Sequence, residues 1–531
     1  MNKRNITSII VISALLAALF LTPAIIHAGG RAHHISDLSA PQSALDSIMS
    51  ARSPATLSAL VTLNAEALMT DKSAGRYYYS LTGGDYDPEV HISGSDELNI
   101  VFLNSAITPQ SINGDDALPF LLYDDSRYQQ CELVVTTLPL MSVSTSGDIG
   151  QQDTPALVQL YDNGNGSLLQ SSAYIRIRGG LSQLYPKKSF RLSLKTQAQT
   201  PRHLPLLGLR NDDDWILYAA YNEPEKLRCA LATALWEDIG ARSNSFGISF
   251  GSQCGFVELF VNGIYNGLYL LMTPVDAKQV NLRENTNPAR CEYLYRSVGY
   301  GTTVSADFKA AADSVIAGQY ELREPDGAGN TYSKWQPLDT LNSLISEAGD
   351  DEFETAIFTQ TEIRNVVDYW VFINAVYAED NVEKNVNLVA KYRDGRYVML
   401  MGAWDLDLTF GNYYTEDEEL SCRVDPRLAD AALWNSMLME RALALDAGGI
   451  RAAISARWAE LRGGVLAQDA VLARLNRLEQ DVFGSGAARR DHERWPDAAF
   501  APDSAALEQF IGERLSFMDG YVDDISRGQF P

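Results

Sequence analysis

Asp380-Asn381-Val382-Glu383-Lys384-Asn385 and, a little further on, Trp404-Asp405-Leu406-Asp407 carry the groups in this chain best suited to chemistry. An aspartate with an asparagine five positions later supplies a proton acceptor and a neutral hard-oxygen ligand. A second acidic pair can hold the cation, and the whole set suits magnesium-dependent phosphoryl transfer. Carboxylates at i and i+2 of an extended chain share one face. So close together, they resist joint ionisation unless a cation intervenes. Asp and Asn are also ordinary loop residues, so the spacing read alone fits a surface turn equally. Glu383 and Lys384 read as solvated neighbours.

A basic constellation lies upstream: Arg176-Ile-Arg178-Gly-Gly-Leu-Ser182, then Pro186-Lys187-Lys188-Ser-Phe190. Backbone amides of a glycine-bearing turn can approach phosphate oxygens closely. Lys188 shares strand parity with Phe190, Leu192 and Leu194, which points it inward, where an ammonium is costly unless it meets an anion. Lys187 shares parity with Ser189 and Arg191, which points it to solvent. The competing reading is a solvated basic hairpin tip. Other chemistries have less support. The six histidines, His27, His33, His34, His91, His203 and His492, show no metal spacing and no GxSxG elbow accompanies them. Asp162-Asn-Gly-Asn-Gly166 reads as a turn, and Asp212-Asp213-Asp214 as a solvated lead-in to a strand.

These groups need elements to position them. Gln42–Ala51 and Ala55–Met69 read as short helices, and 76–140 as strands and loops. Alternation over Leu157–Tyr161, Ala173–Arg178 and Ser189–Leu194 marks strands, as do Trp215–Tyr218 and Gly255–Val261. Asn262-Gly263 turns the chain into a returning strand, Ile264–Met272. One helix intervenes, with Pro224 in its first turn and Leu227, Leu231, Ala234 and Leu235 buried. Residues 300–350 give few signals. Glu362–Tyr377 reads as an apolar helix leading directly to Asp380, followed by strands Val386–Tyr392 and Tyr397–Met401. The pattern is helical from Pro426. Asp380 and Asn385 are therefore expected on a helix-to-strand loop, and Asp405 just past a strand.

Lys3 and Arg4, the apolar run Ile9–Ala24 and Ile26-His-Ala28 read as a cleaved export leader over 1–28. A secreted, periplasmic or cell-surface location is expected, with no membrane span once the leader is removed. The remaining chain is long enough for two or three domains. The net charge of -25 becomes two units more negative without the leader, which disfavours nucleic-acid partners. Five cysteines without a CxxC spacing argue against zinc.

The motifs named above, with Trp215-Ile-Leu, Leu227-Arg228, Val261-Asn-Gly-Ile-Tyr-Asn-Gly-Leu-Tyr269 and Trp404-Asp-Leu-Asp-Leu-Thr-Phe-Gly411, resemble in order and spacing the CotH family, the spore coat protein H-like atypical kinases. The resemblance runs from about Leu138 to Asn412, with a helical tail beyond. It implies an α+β, divergent protein-kinase-like fold, β-rich first and helical later. The expected division is an accessory region over 29–137, a kinase-like domain over 138–425 and a helical subdomain over 426–531. It implies ATP with Mg2+ or Mn2+ as cofactors and a protein hydroxyl as acceptor. Asp380 would be the base, Lys188 or Lys187 would grip phosphates with Arg178, and Asn385 with Asp405 or Asp407 would hold the metal. The lysine's acidic partner would be Glu225 or Glu237. Where the family usually carries a glutamate after the Gly267-Leu-Tyr269 strand, this chain has Thr273. A non-catalytic envelope scaffold on the same fold is the alternative.

Overall fold

The computed structural model describes residues 33–529, apart from 58, 82–83, 95–97, 104–106, 114–116, 284–286, 288–289, 300–306, 326–330, 415–419, 422–424, 426 and 428–436. The leader read over 1–28, with His27, and Cys422 lie outside the described residues. The chain is α+β, strand-rich in its first half and helical toward its end. It forms two compact units. The smaller takes the described residues up to Leu68 with Tyr86–Ala106 and Pro119–Cys131; the larger takes Met69–Asp85, Ile107–Leu118 and Glu132 onward. The large unit thus recruits Arg76–Ser80, which pairs in parallel with Glu132 to Thr136.

In the smaller unit the helix Gln42–Ser50 buries Leu45 against Val101 and Leu121. The helix expected over Ala55–Met69 does not form. Ala59–Leu63 and Glu66–Ala67 are strands of a hairpin instead. Val61 and Leu63 alternate with Thr62, a strand period, and Asn64 and Ala65 take φ of 49° and 64° to close a two-residue turn.

Seven strands of the larger unit close into a barrel: β1 (Leu140–Thr145), β2 (Thr154–Asp162), β3 (Ser167–Arg178), β4 (Ser189–Lys195), β5 (Asp214–Tyr218), β6 (Cys254–Val261) and β7 (Ile264–Met272). The order is β1-β2-β3-β4-β5-β7-β6, antiparallel except where β6 runs parallel to β1 and shuts the ring. Alternate residues, among them Val143, Val158, Ile175, Leu192, Leu217, Leu259 and Leu271, make one interior cluster. Asn262 and Gly263, at φ 54° and 76°, supply the tight turn between β6 and β7.

The other faces of β5, β6 and β7 join a larger core around helix α1 (Arg228–Ile239). This helix is apolar nearly all round, as a helix covered on every side must be. Pro224 precedes it instead of sitting in its first turn. Lys226, at φ 63°, breaks the helical path before Leu227. A second sheet follows, with β8 (Tyr293–Ser297), β9 (Ile316–Ala317), β10 (Tyr320–Glu324), β11 (Val386–Arg393) and β12 (Arg396–Ala403) in the order β9-β10-β8-β11-β12. Helix α2 (Ile363–Ala375) delivers the chain to the loop before β11. Trp236 of α1 packs against Tyr369 and Phe372 of α2, with ring centroids 5.8 Å and 5.1 Å apart. Near the end of the chain stand α3 (Ala487–Arg494) and α4 (Ala505–Ser526).

Candidate active site

Asp380 sits in a single turn, Glu379–Asn381, just past α2, and Asn385 immediately precedes β11. Asn385 takes φ 57° and Asp405 φ 61°, left-handed conformations that Asn and Asp tolerate best among residues with a side chain beyond Cβ. The β12 strand stops at Ala403, so Asp405 and Asp407 lie on a turn and not, as the sequence implied, on extended chain. One residue ties the two loops together. Asn381 Nδ2 donates to the carbonyl of Trp404 at 2.7 Å and to that of Asn385 at 3.3 Å, while its own carbonyl accepts the Tyr369 hydroxyl at 2.6 Å.

Asn385 Nδ2 donates to Asp380 Oδ2 at 2.5 Å, and Lys384 Nζ lies 3.3 Å from both Asp380 oxygens. Lys384, expected as a solvated bystander, is thus the counter-ion of Asp380. Burial nevertheless pushes Asp380 above the usual carboxylate range, with Asp405 adding to it. Burial and then the charge of Asp405 push Asp407 well up, and Asp380 and Glu223 contribute. The carboxylate of Asp405 makes no hydrogen bond or ion pair with a described residue. The three acidic groups share a field, and of them Asp405 and Asp407 form no ion pair with a described residue.

Two arginines gather at the Trp404 ring beside these loops. Arg178, at the end of β3, has its Cζ 5.8 Å from the centroid of the Trp404 ring, and its guanidinium makes no hydrogen bond or ion pair with a described residue. Arg296 of β8 lies over the same ring at 4.5 Å and donates through Nε to Asn387 Oδ1 at 3.0 Å. Burial and the neighbouring Arg323 and Arg178 push Arg296 down to about 9, against the pull of Asp405. Arg323 is exposed and pairs with Glu321 at 3.0 Å, so the like charges without an ion pair are Arg178 and Arg296, whose packing over one ring is uphill unless an anion joins them. Sequence reading named Arg178 and missed Arg296 and Arg323. Neither of their strands, Tyr293–Ser297 and Tyr320–Glu324, was read from the sequence, so no element marked the two arginines.

The two lysines exchange the places expected of them. Lys187 is the buried one: Nζ donates to the carbonyls of Ala219 (2.7 Å) and Leu268 (2.6 Å) and to Asp491 Oδ1 (2.7 Å). Lys188 is half-buried and donates to the carbonyls of Gln183 and Tyr185. Strand parity failed because β4 begins at Ser189, so both lysines lie in the bend before it. The expected acidic partners are engaged elsewhere. Glu225 grips Arg228 through two bonds of 2.9 Å, and Glu237 pairs with Arg242. The partner of Lys187 is Asp491 on α3. Gly267, at φ 103°, makes room for it: a Cβ there would lie 2.2 Å from Asp491 Oδ1. Gly267→Ala is therefore expected to dislodge that carboxylate and lower the urea midpoint of unfolding. An unchanged midpoint would show that the contact relaxes freely.

Glu223, just past β5, is fully buried. Its Oε2 accepts the Cys229 N–H at 3.1 Å, and its Oε1 has no partner in hydrogen-bond geometry among the described residues. Burial pushes it up to about 7 from 4.5. A carboxyl raised in the folded state takes up a proton on folding, so stability falls as pH rises from about 4.5 through about 7. Glu223→Gln is expected to remove that part of the fall, read as unfolding midpoints at pH 5 and pH 8. Thr273 lies at the end of β7, where its hydroxyl accepts the Gln253 N–H at 2.9 Å, a backbone stitch carrying no charge.

Among the described residues one His and carboxylate group closes to ion-binding distance, His203 with Asp212 and Asp213, within 4.8 Å. Lys278 Nζ already lies 2.5 Å and 2.7 Å from the two aspartates, which are buried and not the solvated lead-in expected. The Asp380, Asp405 and Asp407 group does not close to that spacing. Such openness suits Mg2+, which takes one or two protein carboxylates and fills its remaining positions with phosphate oxygens and water.

These features define an α+β protein in which Asp380, Asn385, Asp405 and Asp407 lie on two loops tied together by Asn381, with Arg178 and Arg296 over the Trp404 ring. A family model described as CotH kinase protein matches residues 175–518, well over half the chain, and the chain belongs to that family. The match starts later than the resemblance read from the motifs and extends further, so that Asp491 falls inside it. No curated protein matches the chain.

Proposed function

We propose that this CotH-family chain is an exported protein kinase that moves the γ-phosphate of ATP to a protein hydroxyl with Mg2+ or Mn2+. The observation that supports it best is the pairing of unneutralised groups: Asp405 and Asp407 on one side, Arg178 and Arg296 on the other, with no ion pair between them. Magnesium-bound triphosphate supplies both missing charges. Asn385, Asp405 and Asp407 would hold the metal, which neutralises charge on the β- and γ-phosphates when bound.

The chain's own groups then have the following work. Arg178 and Arg296 bind and orient the phosphates. Asp380 accepts the acceptor's hydroxyl proton as that oxygen bonds to the γ-phosphorus and the bond to the β–γ bridging oxygen breaks, leaving ADP. Asn385 and Lys384 hold the Asp380 carboxylate in place for that transfer. Lys187 and Lys188, whose donors are engaged, brace the turn and the barrel instead of gripping phosphate. The leader-like segment over 1–28 supports export and an extracytoplasmic acceptor.

The test is thermal unfolding of the full chain with ATP, metal or both. A ligand that binds only the native state must stabilise it, by about 2.7 kcal/mol at a hundred times its Kd. The melting temperature is expected to rise with ATP and Mg2+ or Mn2+ together and little with ATP alone. No rise under any condition would remove the nucleotide site. The engagement of both lysines favours a second reading, a scaffold that transfers nothing. Labelled ATP with mass spectrometry of the product separates the two, and an adenylyl adduct would indicate a different transfer.

A further inference from the structure

We infer that Asn222, anchored by Tyr218 and Asn412, is a positioning residue that sets the Asp407 carboxylate for a divalent cation. The inference rests on the reading of Asp407 as a metal ligand. Asn222 stands between β5 and α1, far in sequence from the acidic loops. Its Nδ2 donates to Asp407 Oδ2 at 2.7 Å. Its Oδ1 accepts the Tyr218 hydroxyl at 3.2 Å. Its backbone carbonyl accepts Asn412 Nδ2 at 3.3 Å, and the same Nδ2 donates to the Asp407 carbonyl at 2.9 Å. Asn222 and Tyr218 are buried, and so is Asn412. Main chain and side chain of Asp407 are thus both held by the same set of amides.

The chemistry follows from which oxygen is engaged. A carboxylate oxygen capped by an N–H is a poorer ligand, and Oδ2 is capped. Oδ1 makes no hydrogen bond with a described residue and is left for the cation. The same amide bond fixes the rotation of the carboxylate, so that Oδ1 keeps one direction. The Tyr218 hydroxyl fixes which end of the Asn222 amide faces Asp407. A donor to Oδ1 leaves Nδ2 pointing at the acid. Partners behind a ligand typically govern metal affinity by about 10–100-fold.

The test uses the full chain and Mn2+ alone, with free Mn2+ followed by its electron paramagnetic resonance signal. Asn222→Ala is expected to weaken Mn2+ roughly 10–100-fold. Tyr218→Phe, which leaves the Asn222 bond in place, is expected to weaken it less. In an Asp407→Asn background the Asn222→Ala change is expected to add nothing, because it acts through that carboxylate. With ATP and acceptor present, excess Mn2+ is expected to restore kcat in Asn222→Ala, which general structural damage would not allow. Unaltered Mn2+ affinity in a folded Asn222→Ala, with binding abolished by Asp407→Ala, would overturn the inference and leave the proposed function standing. Binding that survives Asp407→Ala would overturn the reading of Asp407 itself and the inference with it. If Asn222→Ala does not fold, Tyr218→Phe decides: unchanged affinity there overturns the inference.

Discussion

Phosphate transfer from labelled ATP is expected to fall roughly 10²–10⁴-fold in Asp380→Asn, the contribution of a positioned general base. Asp405→Asn is expected to lose transfer as completely and to bind Mn2+ more weakly as well. Asn is the substitution to use at 405, because Asp405 holds φ 61°, a conformation Asn adopts readily and Ala does not. Stability should move the other way. Asp405 pushes both Asp380 and Asp407 upward, so removing its charge relieves repulsion in the metal-free protein. The metal-free Asp405→Asn variant is expected to unfold at a higher urea concentration than the parent. A carboxylate kept for structural reasons would give the opposite result, whereas a site strained for function trades stability for activity. Full transfer in both variants would end the phosphotransferase reading.

The barrel was legible because its strands are half-buried and alternate. Ile175, Leu192 and Leu217 announce their face two residues at a time. The Asp380 loop was legible because an apolar helix and an apolar strand bracket it. What escaped depends on where a period starts or on contacts between distant segments. Parity assigned Lys188 inward because the alternation of the Ser189 strand was carried back past its first residue, into a bend that does not keep the strand period. The helix read over Ala55–Met69 was a hairpin, since short apolar runs carry either period. Asp491 lies 304 residues from Lys187 in a run, Ala487-Ala-Arg-Arg-Asp-His-Glu-Arg494, that looks like a solvated charged helix. Nothing local says that its Arg490 and Asp491 are buried. Asn222 and Asn381 escaped for a different reason. Each acts through its amide on a backbone or carboxylate brought near only by the fold.

Asp491→Asn is expected to cost about 3–5 kcal/mol, the usual consequence of leaving one member of a buried ion pair without its counter-charge. Both side chains are fully enclosed, and Asp491 Oδ1 also accepts the Leu268 N–H at 2.9 Å. Asn retains an oxygen for that bond, so the loss isolates the charge. Burial pushes the Lys187 ammonium below its usual range and Asp491 opposes the shift. Without that charge the folded state favours neutral lysine more strongly, while the unfolded lysine still titrates near 10.5. Folding then releases a proton, so the deficit of Asp491→Asn should shrink as pH rises toward 10.5. Lys226 Nζ also lies 3.9 Å from Asp491 Oδ2, so adding Lys187→Met to Asp491→Asn removes one of two buried ammoniums and is expected to recover part of the loss at pH 7. A cost below about 1 kcal/mol for the single variant would mean that the pair is not a lock. The double variant also separates two roles for Lys187. If it folds and still gains melting temperature with ATP and Mg2+, the lysine braces α3 against the barrel. If it folds and the gain vanishes, Lys187 reaches the phosphates after all.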